Sequence, residues 1–275
     1  MENVAVLIVG AGPAGLATAA CLSQLSIPYV IVERESCSVS LWRNHAYDRL
    51  KLHLAKEFCN NYSGMNVLVV GSENSGMEIA YDLAAHGSYT SIVIRSPIHV
   101  MTKELIRLGM TLAPRLPLNL VGNLLVMEAN LIFGDLSMHG IRRPKMGPMI
   151  LKSETGRSAV IDVGTVGLIK KGIIKVQGSI SKIMGDIVGF QCSNKISFDA
   201  IVFATGYKST TNIWLKNGEN MLNGNGLPIK EYPNHWKGGY GLYCAGLGRR
   251  GLAGIAADAK NSANDIKSVI DAMSS

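Results

Sequence analysis

Two glycine-rich hexapeptides carry the chemistry this sequence could do. The first, Gly10-Ala11-Gly12-Pro13-Ala14-Gly15, follows the continuous apolar run 4–9 (VAVLIV) and precedes a helix-forming stretch. At such a strand-to-helix turn Gly10 permits the tight bend. Gly12 lets a pyrophosphate approach the backbone, Gly15 lets helix and strand pack closely, and the helix N-terminus faces the phosphates. Glu33 ends the next strand-like run (YVIV), 23 residues after Gly10, where a carboxylate can accept hydrogen bonds from ribose hydroxyls. The second hexapeptide is Gly71-Ser72-Glu73-Asn74-Ser75-Gly76, after the run 66–70 (NVLVV). Its middle glycine is replaced by Glu73, which sets bulk and a like charge where backbone meets pyrophosphate, so weakened phosphate binding is expected there. The strand after it ends at Arg95, a cation suited to the 2′-phosphate of NADPH.

The two sites divide the labour. An acid-terminated site suits FAD or NAD and an Arg-terminated site suits NADP. Together they describe a reductase or monooxygenase that passes hydride from nicotinamide to flavin. Positioning them takes two βαβ units, and the sequence supplies an imperfect internal repeat with an offset of 71 − 10 = 61 residues. In the first unit the expected elements are strand 4–9, helix 16–25 and strand 29–32. In the second they are strand 66–70, helix 77–86 and strand 91–94. Residues 97–148 read as helical and irregular. Residues 159–202 read as short glycine-punctuated strands closed by Ala204-Thr205-Gly206. The last segment reads as a strand (LYCAG), a glycine turn and a helix near 252–272. The fold class is therefore α/β with two Rossmann-like dinucleotide-binding domains, the first split and incomplete. Residues 1–59 with 207–275 form the expected FAD domain, and residues 64–206 the NADP domain.

Composition narrows the alternatives. With 275 residues, 47% hydrophobic and 17% charged, the chain can bury a sizeable core. The net charge of +7 comes from scattered Lys and Arg rather than a basic stripe, which argues against a nucleic-acid partner and suits anionic ligands. The five cysteines form no CxxC pair. They are expected to be reduced and mostly buried, and a disulfide reductase of the thioredoxin-reductase kind lacks its redox pair here. The apolar segment 116–134 is interrupted by Pro117, Asn119, Asn123, Glu128 and Asn130. It is expected to be an amphipathic or buried helix rather than a transmembrane one. No signal peptide is read, no metal site is expected, and the expected location is cytoplasmic or peripheral to the endoplasmic reticulum.

The chain resembles the plant flavin-containing monooxygenases of the YUCCA type. The stretches that carry the resemblance are VLIVGAGPAGLATAACL, SLWRNHAYDRLKLHLAKEFC, NVLVVGSENSGMEIAYDL, GRSAVIDVGTVGLIKKGIIKV, FDAIVFATGYKS and HWKGGYGLYCAGLGRRGLAGIAADA. The resemblance implies FAD at the first motif, NADPH at the second, and O2 chemistry carried by the flavin, with no catalytic side chain of the protein's own. The implied substrate is indole-3-pyruvate or a similar acid, converted to indole-3-acetate in auxin biosynthesis. It also implies a flavin-site role for Arg34 and Trp42, and for the run Tyr47-Asp48-Arg49-Leu50-Lys51-Leu52-His53. Ala204, Thr205 and Gly206 resemble the crossover between domains, and Asp258 a closing turn over the flavin.

One departure stands out. Only residues 34–64, 31 in all, separate Glu33 from Met65. A βαβ unit takes roughly 30 residues and a doubly wound domain needs two such halves. The first domain therefore cannot be complete before the second begins, and the join falls near Cys59-Asn60-Asn61. The family's first Ala-Thr-Gly turn and its FxGxxxHxxx(Y/F) fingerprint are not in this sequence. The alternative expectation is a catalytically impaired, nucleotide-binding remnant with an apolar sheet edge left open.

Overall fold

The computed structural model describes residues 4–40, 43, 59–248 and 250–274. The chain divides into two compact units, residues 1–44 with 207–275, and residues 45–206.

The first unit holds strand β1 (Val6–Val9), helix α1 (Pro13–Gln24) and strand β2 (Tyr29–Val32), with β1 parallel to β2 in the register Val6↔Tyr29. Its C-terminal part adds the long helix α8 (Gly251–Ser274). Ile8 from β1, Ala19 and Leu22 from α1, and Ala263 and Ile266 from α8 meet in one small apolar core. The helix α1 starts where its sequence says it should. Gly12 is its N-cap in extended geometry, and Pro13 at the first helical position supplies a preset φ.

The second unit is built on a four-stranded parallel sheet in the order β11-β3-β4-β7. These strands are β3 (Asn66–Val70), β4 (Tyr89–Val93), β7 (Lys175–Gln177) and β11 (Ala200–Phe203). In β3 successive side chains point to opposite faces, so Val67 and Val69 join the main core while Leu68 joins a second one. That second core lies under a small antiparallel sheet of β8 (Ile180–Met184), β9 (Ile187–Phe190) and β10 (Lys195–Ser197), through Val188, Phe190 and Phe198. The main core is covered by α2 (Asn74–Ala85), α3 (Lys103–Leu112), α4 (Leu118–Phe133) and α6 (Thr165–Lys170). A further short helix of this unit is α5 (Pro148–Thr155), and β5 (Val100–Met101) pairs in parallel with β6 (Val160–Ile161), whereas the short helix α7 (Thr211–Trp214) belongs to the first unit.

Several sequence expectations need correction. The helices α1 and α2 begin at Pro13 and Asn74, three residues before their expected starts, because the glycine turn itself passes directly into the helix. The stretch 159–202 is not strands alone. Thr165 and its followers form α6, pinned by the Thr165 hydroxyl donating to the Met77 carbonyl at 2.9 Å. The LYCAG segment is extended but forms no strand among the described residues. It makes one antiparallel bridge, Lys237↔Tyr243. Of the cysteines only Cys59 is buried, Cys192 is exposed, and the other three lie between. Segment 116–134 forms the amphipathic α4, with Val121, Leu125 and Ala129 inward and Leu120, Leu131 and Ile132 outward. Among the described residues no helix is long and apolar enough to cross a membrane.

Candidate functional site

The two glycine turns share their geometry. Gly10 has φ +101° and Gly71 φ +119°, a region that a side chain disfavours. A Cβ on Gly15 would lie 1.9 Å from the Gly10 carbonyl oxygen, and one on Gly76 would lie 2.0 Å from that of Gly71. Both third glycines are thus required by the approach of helix to turn. A Cβ on Gly12 would meet nothing within 4 Å, so packing does not demand that glycine. The open space over it is what an approaching pyrophosphate requires.

In the first turn Glu33 does more than wait for a ribose. Its Oε2 accepts from the Ala11 N–H at 2.6 Å and its Oε1 from the Glu35 N–H at 3.0 Å. The Glu35 and Ala11 amides together hold its carboxyl below the usual carboxylate range, against the opposing effect of burial. Glu33 therefore stays ionised, ties the strand end to the turn, and keeps lone pairs for a hydroxyl donor. Arg34 points elsewhere, into an exposed pair with Glu35 at 2.9 Å. Trp42 and the run 47–53 lie outside the described residues.

In the second turn Glu73 is the N-cap of α2 with φ −79°, an ordinary conformation for a side-chain-bearing residue. Its carboxylate is largely exposed and lies 3.8 Å from the Arg157 Nε. Asn74 faces inward, where its Oδ1 accepts from the Ile161 N–H at 2.8 Å and ties β6 to the turn. Ser72 is buried and Ser75 exposed. Ala204 packs on this turn. Its N–H donates to the Val70 carbonyl at 2.8 Å, and its own carbonyl oxygen would lie 2.3 Å from a Cβ on Gly71. Thr205 and Gly206, the latter at φ +82°, follow directly.

Arg95 is exposed two residues past β4, and its carbonyl accepts from Arg142 Nη2 at 3.4 Å. The Arg157 Nη2 donates to the Pro97 carbonyl at 3.2 Å. Arg142 and Arg157 thus join Arg95 beyond the end of β4. Sequence reading missed both, because each comes from a segment 47 to 60 residues away with no motif of its own.

Asp258, expected to close over the flavin, is buried in the first unit. It accepts from the Gly246 N–H at 3.0 Å and pairs with His235 Nε2 at 3.1 Å. Gly248 is held against that imidazole, since a Cβ there would lie 2.4 Å from its Nε2. Among the described residues no cluster of His, Cys, Asp or Glu could hold a metal ion.

The architecture is that of flavin monooxygenases. A flavin-containing monooxygenase from Stenotrophomonas maltophilia superposes with a TM-score of 0.64 at 11% identity, over 98% of this chain and 100% of that one. The OTEMO complex with FAD and NADP superposes at 0.62 and 10% identity, over 98% and 85%. The FAD binding domain family matches residues 3–56. A probable indole-3-pyruvate monooxygenase of Arabidopsis thaliana, YUCCA10, is 39% identical, over 98% of each chain. Indole-3-pyruvate monooxygenase YUCCA6 of the same plant is 32% identical, over 94% of this chain and 89% of its own. The chain belongs to the plant YUCCA family of flavin monooxygenases. FAD and NADPH are the cofactors of that family, and its members act on a small molecule and O2.

The alignment with YUCCA10 spans 378 positions, so at least 378 − 275 = 103 of them have no residue of this chain opposite. That relative therefore carries at least that many positions that this chain lacks.

Proposed function

We infer that this chain is an NADPH-dependent flavin monooxygenase-like protein whose family reaction is the conversion of indole-3-pyruvate, or a similar acid, to indole-3-acetate. The observation that carries the reading is the matched geometry of the two turns, each with a left-handed first glycine and a last glycine in backbone contact with it. FAD is assigned to residues 1–59 with 207–275, through Gly10, Gly12, Pro13, Ala14, Gly15 and Glu33. NADPH is assigned to residues 64–206, through Gly71, Ser72, Asn74, Ser75, Gly76 and Arg95, with Ala204, Thr205 and Gly206 closing that turn. Bound there, the pair would supply hydride transfer and O2 activation. The protein's own part is to seat the pyrophosphates on two helix N-termini and keep Glu33 ionised toward the ribose. The cytoplasm is the compartment this reading assigns, and cell fractionation tests it.

A second reading, a nucleotide-binding remnant with impaired turnover, is favoured by two observations. Glu73 stands where the second turn meets phosphate, and β1 pairs with β2 alone among the described residues. The visible absorbance of the purified chain separates the readings. Stoichiometric flavin bands, with NADPH oxidation that depends on indole-3-pyruvate, support the first. A colourless protein that still binds NADPH supports the second.

A further inference from the structure

In the second unit the strand that leads into the glycine turn, β3, is paired on both sides, with β4 on one and β11 on the other, all parallel. The carbonyl of Ala204, which follows β11, then closes against Gly71. In the first unit β1 occupies the place of β3. Its β4-like neighbour is β2, and among the described residues it has no neighbour on the other edge. Gly10 likewise has nothing within 4 Å of where a Cβ would stand.

A groove of about 600 Å³ lies along that edge, wholly within the first unit. One wall is β1 and the other is the extended segment 241–245. The floor is the faces of α1 and α8, through Gly15, Thr18, Ile266 and Val269. A four-residue strand in one place of a sheet fills roughly 600 Å³, about 13 Å long, 4.8 Å wide and a 10 Å layer deep. The far wall is held firmly. Tyr243 Oη donates to Asp265 Oδ2 at 2.7 Å, and Lys237 Nζ to Asp265 Oδ1 at 2.6 Å. The Cys244 N–H donates to the Trp236 carbonyl, and the Leu242 carbonyl accepts from the Gly238 N–H. By the alternation of an extended chain, the backbone groups of Tyr243 then face away from that pairing, and Tyr243 lines the groove. Ser262, only 2% exposed, also lines the groove, and its Oγ has no hydrogen-bond partner.

We propose that this groove is a strand-addition site that takes, in trans, an extended apolar segment running parallel to β1 and ending in a small-residue turn. The occupant is a peptide segment of the β11 kind, an apolar four-residue strand (Ala, Ile, Val, Phe) followed by Ala-Thr-Gly. The internal repeat supplies the template, since Ala200↔Val67 through Phe203↔Val70 is the ladder the segment would reproduce on Val6–Val9. The backbone edge of β1 gives affinity and the apolar floor gives selectivity, as in β-augmentation generally. A relative aligned over 378 positions has at least 378 − 275 = 103 positions with no residue of this chain opposite.

The test is a fluorescein-labelled peptide with residues 198 to 207 of this sequence and a Lys tail for solubility, titrated with the full chain and followed by anisotropy. Saturable binding in the micromolar range is expected. The same peptide with Val202→Pro loses a ladder donor and should bind about tenfold more weakly. The protein variant Val269→Lys, at a half-exposed position on the groove floor, should keep its thermal transition and lose about tenfold in affinity. Absence of binding, equal binding of the proline peptide, or a concentration-dependent dimer that excludes the peptide would each overturn the proposal. The readout needs no flavin, so its failure and the failure of the cofactor assignment are seen separately.

Discussion

The first and second glycine turns share a motif and a local shape, and they differ in what surrounds them. Gly71 and Gly76 are locked between β3, α2 and the Ala204 carbonyl. Among the described residues Gly15 closes on the Gly10 carbonyl and Ile8, and a Cβ on Gly10 would meet nothing within 4 Å. The second turn is supported by a four-stranded sheet with apolar cores on both faces, whereas among the described residues the first rests on a two-stranded pair. Leu7 and Val9 of β1 are 60% and 51% exposed, where Val67, Leu68 and Val69 of β3 are fully buried. A binding motif can therefore be locally intact while the layer that should anchor it is thin. The first turn is also the more open of the two at its middle position, where a Cβ on Gly12 would meet nothing within 4 Å and the second turn has Glu73.

The sharpest way to break this comparison is to add one methyl group at each first glycine. Gly71→Ala puts a Cβ 2.3 Å from the Ala204 oxygen in a left-handed conformation. It should cost about 3 kcal/mol or more of stability. Gly10→Ala meets no atom within 4 Å and bears only the conformational strain, about 1–2 kcal/mol. Urea denaturation of both variants checks the difference, and equal costs would remove the claim that the second turn alone is closed over.

Next in size is Glu73→Gly. Removing a carboxylate beside the phosphates should tighten NADPH binding about tenfold, or roughly 1.4 kcal/mol by calorimetry. The gain should shrink as salt rises, because Glu73 and Arg157 are both exposed enough to be screened. An unchanged affinity would mean that the carboxylate swings clear of the nucleotide.

Thr165→Val deletes a fully buried hydroxyl that donates to the Met77 carbonyl and should cost about 1–2 kcal/mol. Its effect belongs to the second unit and should leave any flavin content unchanged.

The smallest effect is at Glu33. Its folded pKa is lowered by the Glu35 and Ala11 amides. The stability it lends is therefore fully present above the ordinary carboxylate value and is lost as pH falls through the lower folded value. Because the group is exposed, screening should hold this to under about 1 kcal/mol. Glu33→Gln should flatten that acid limb in a urea titration at low pH and loosen the first turn without touching the second.

Much of this was legible in the residues. The runs VLIV and NVLVV, each followed by a glycine hexapeptide, placed β1, α1, β3 and α2 because apolar continuity and glycine spacing act locally. The family resemblance also read correctly from such stretches. Helix α6 was missed because the glycine-punctuated stretch 159–202 reads as short strands, whereas Thr165–Lys170 forms a helix tied to α2 by the buried Thr165 hydroxyl donating to the Met77 carbonyl. The LYCAG segment reads as a strand, yet a strand needs partners, and the residues described beside it offer a single bridge.

The sequence by itself determined the two turns, the acid and the base that follow them, and the shortage of chain between Glu33 and Met65. Those are matters of residue type and spacing, which a short stretch specifies alone. The tertiary structure decided that Ala204 closes over Gly71 and that, among the described residues, nothing stands over Gly10. It also brought Arg142 to the Arg95 carbonyl and Arg157 to that of Pro97, and turned Asp258 inward to His235 and Gly246. Each of these depends on segments distant in sequence meeting in space, and no local pattern records which segments will meet.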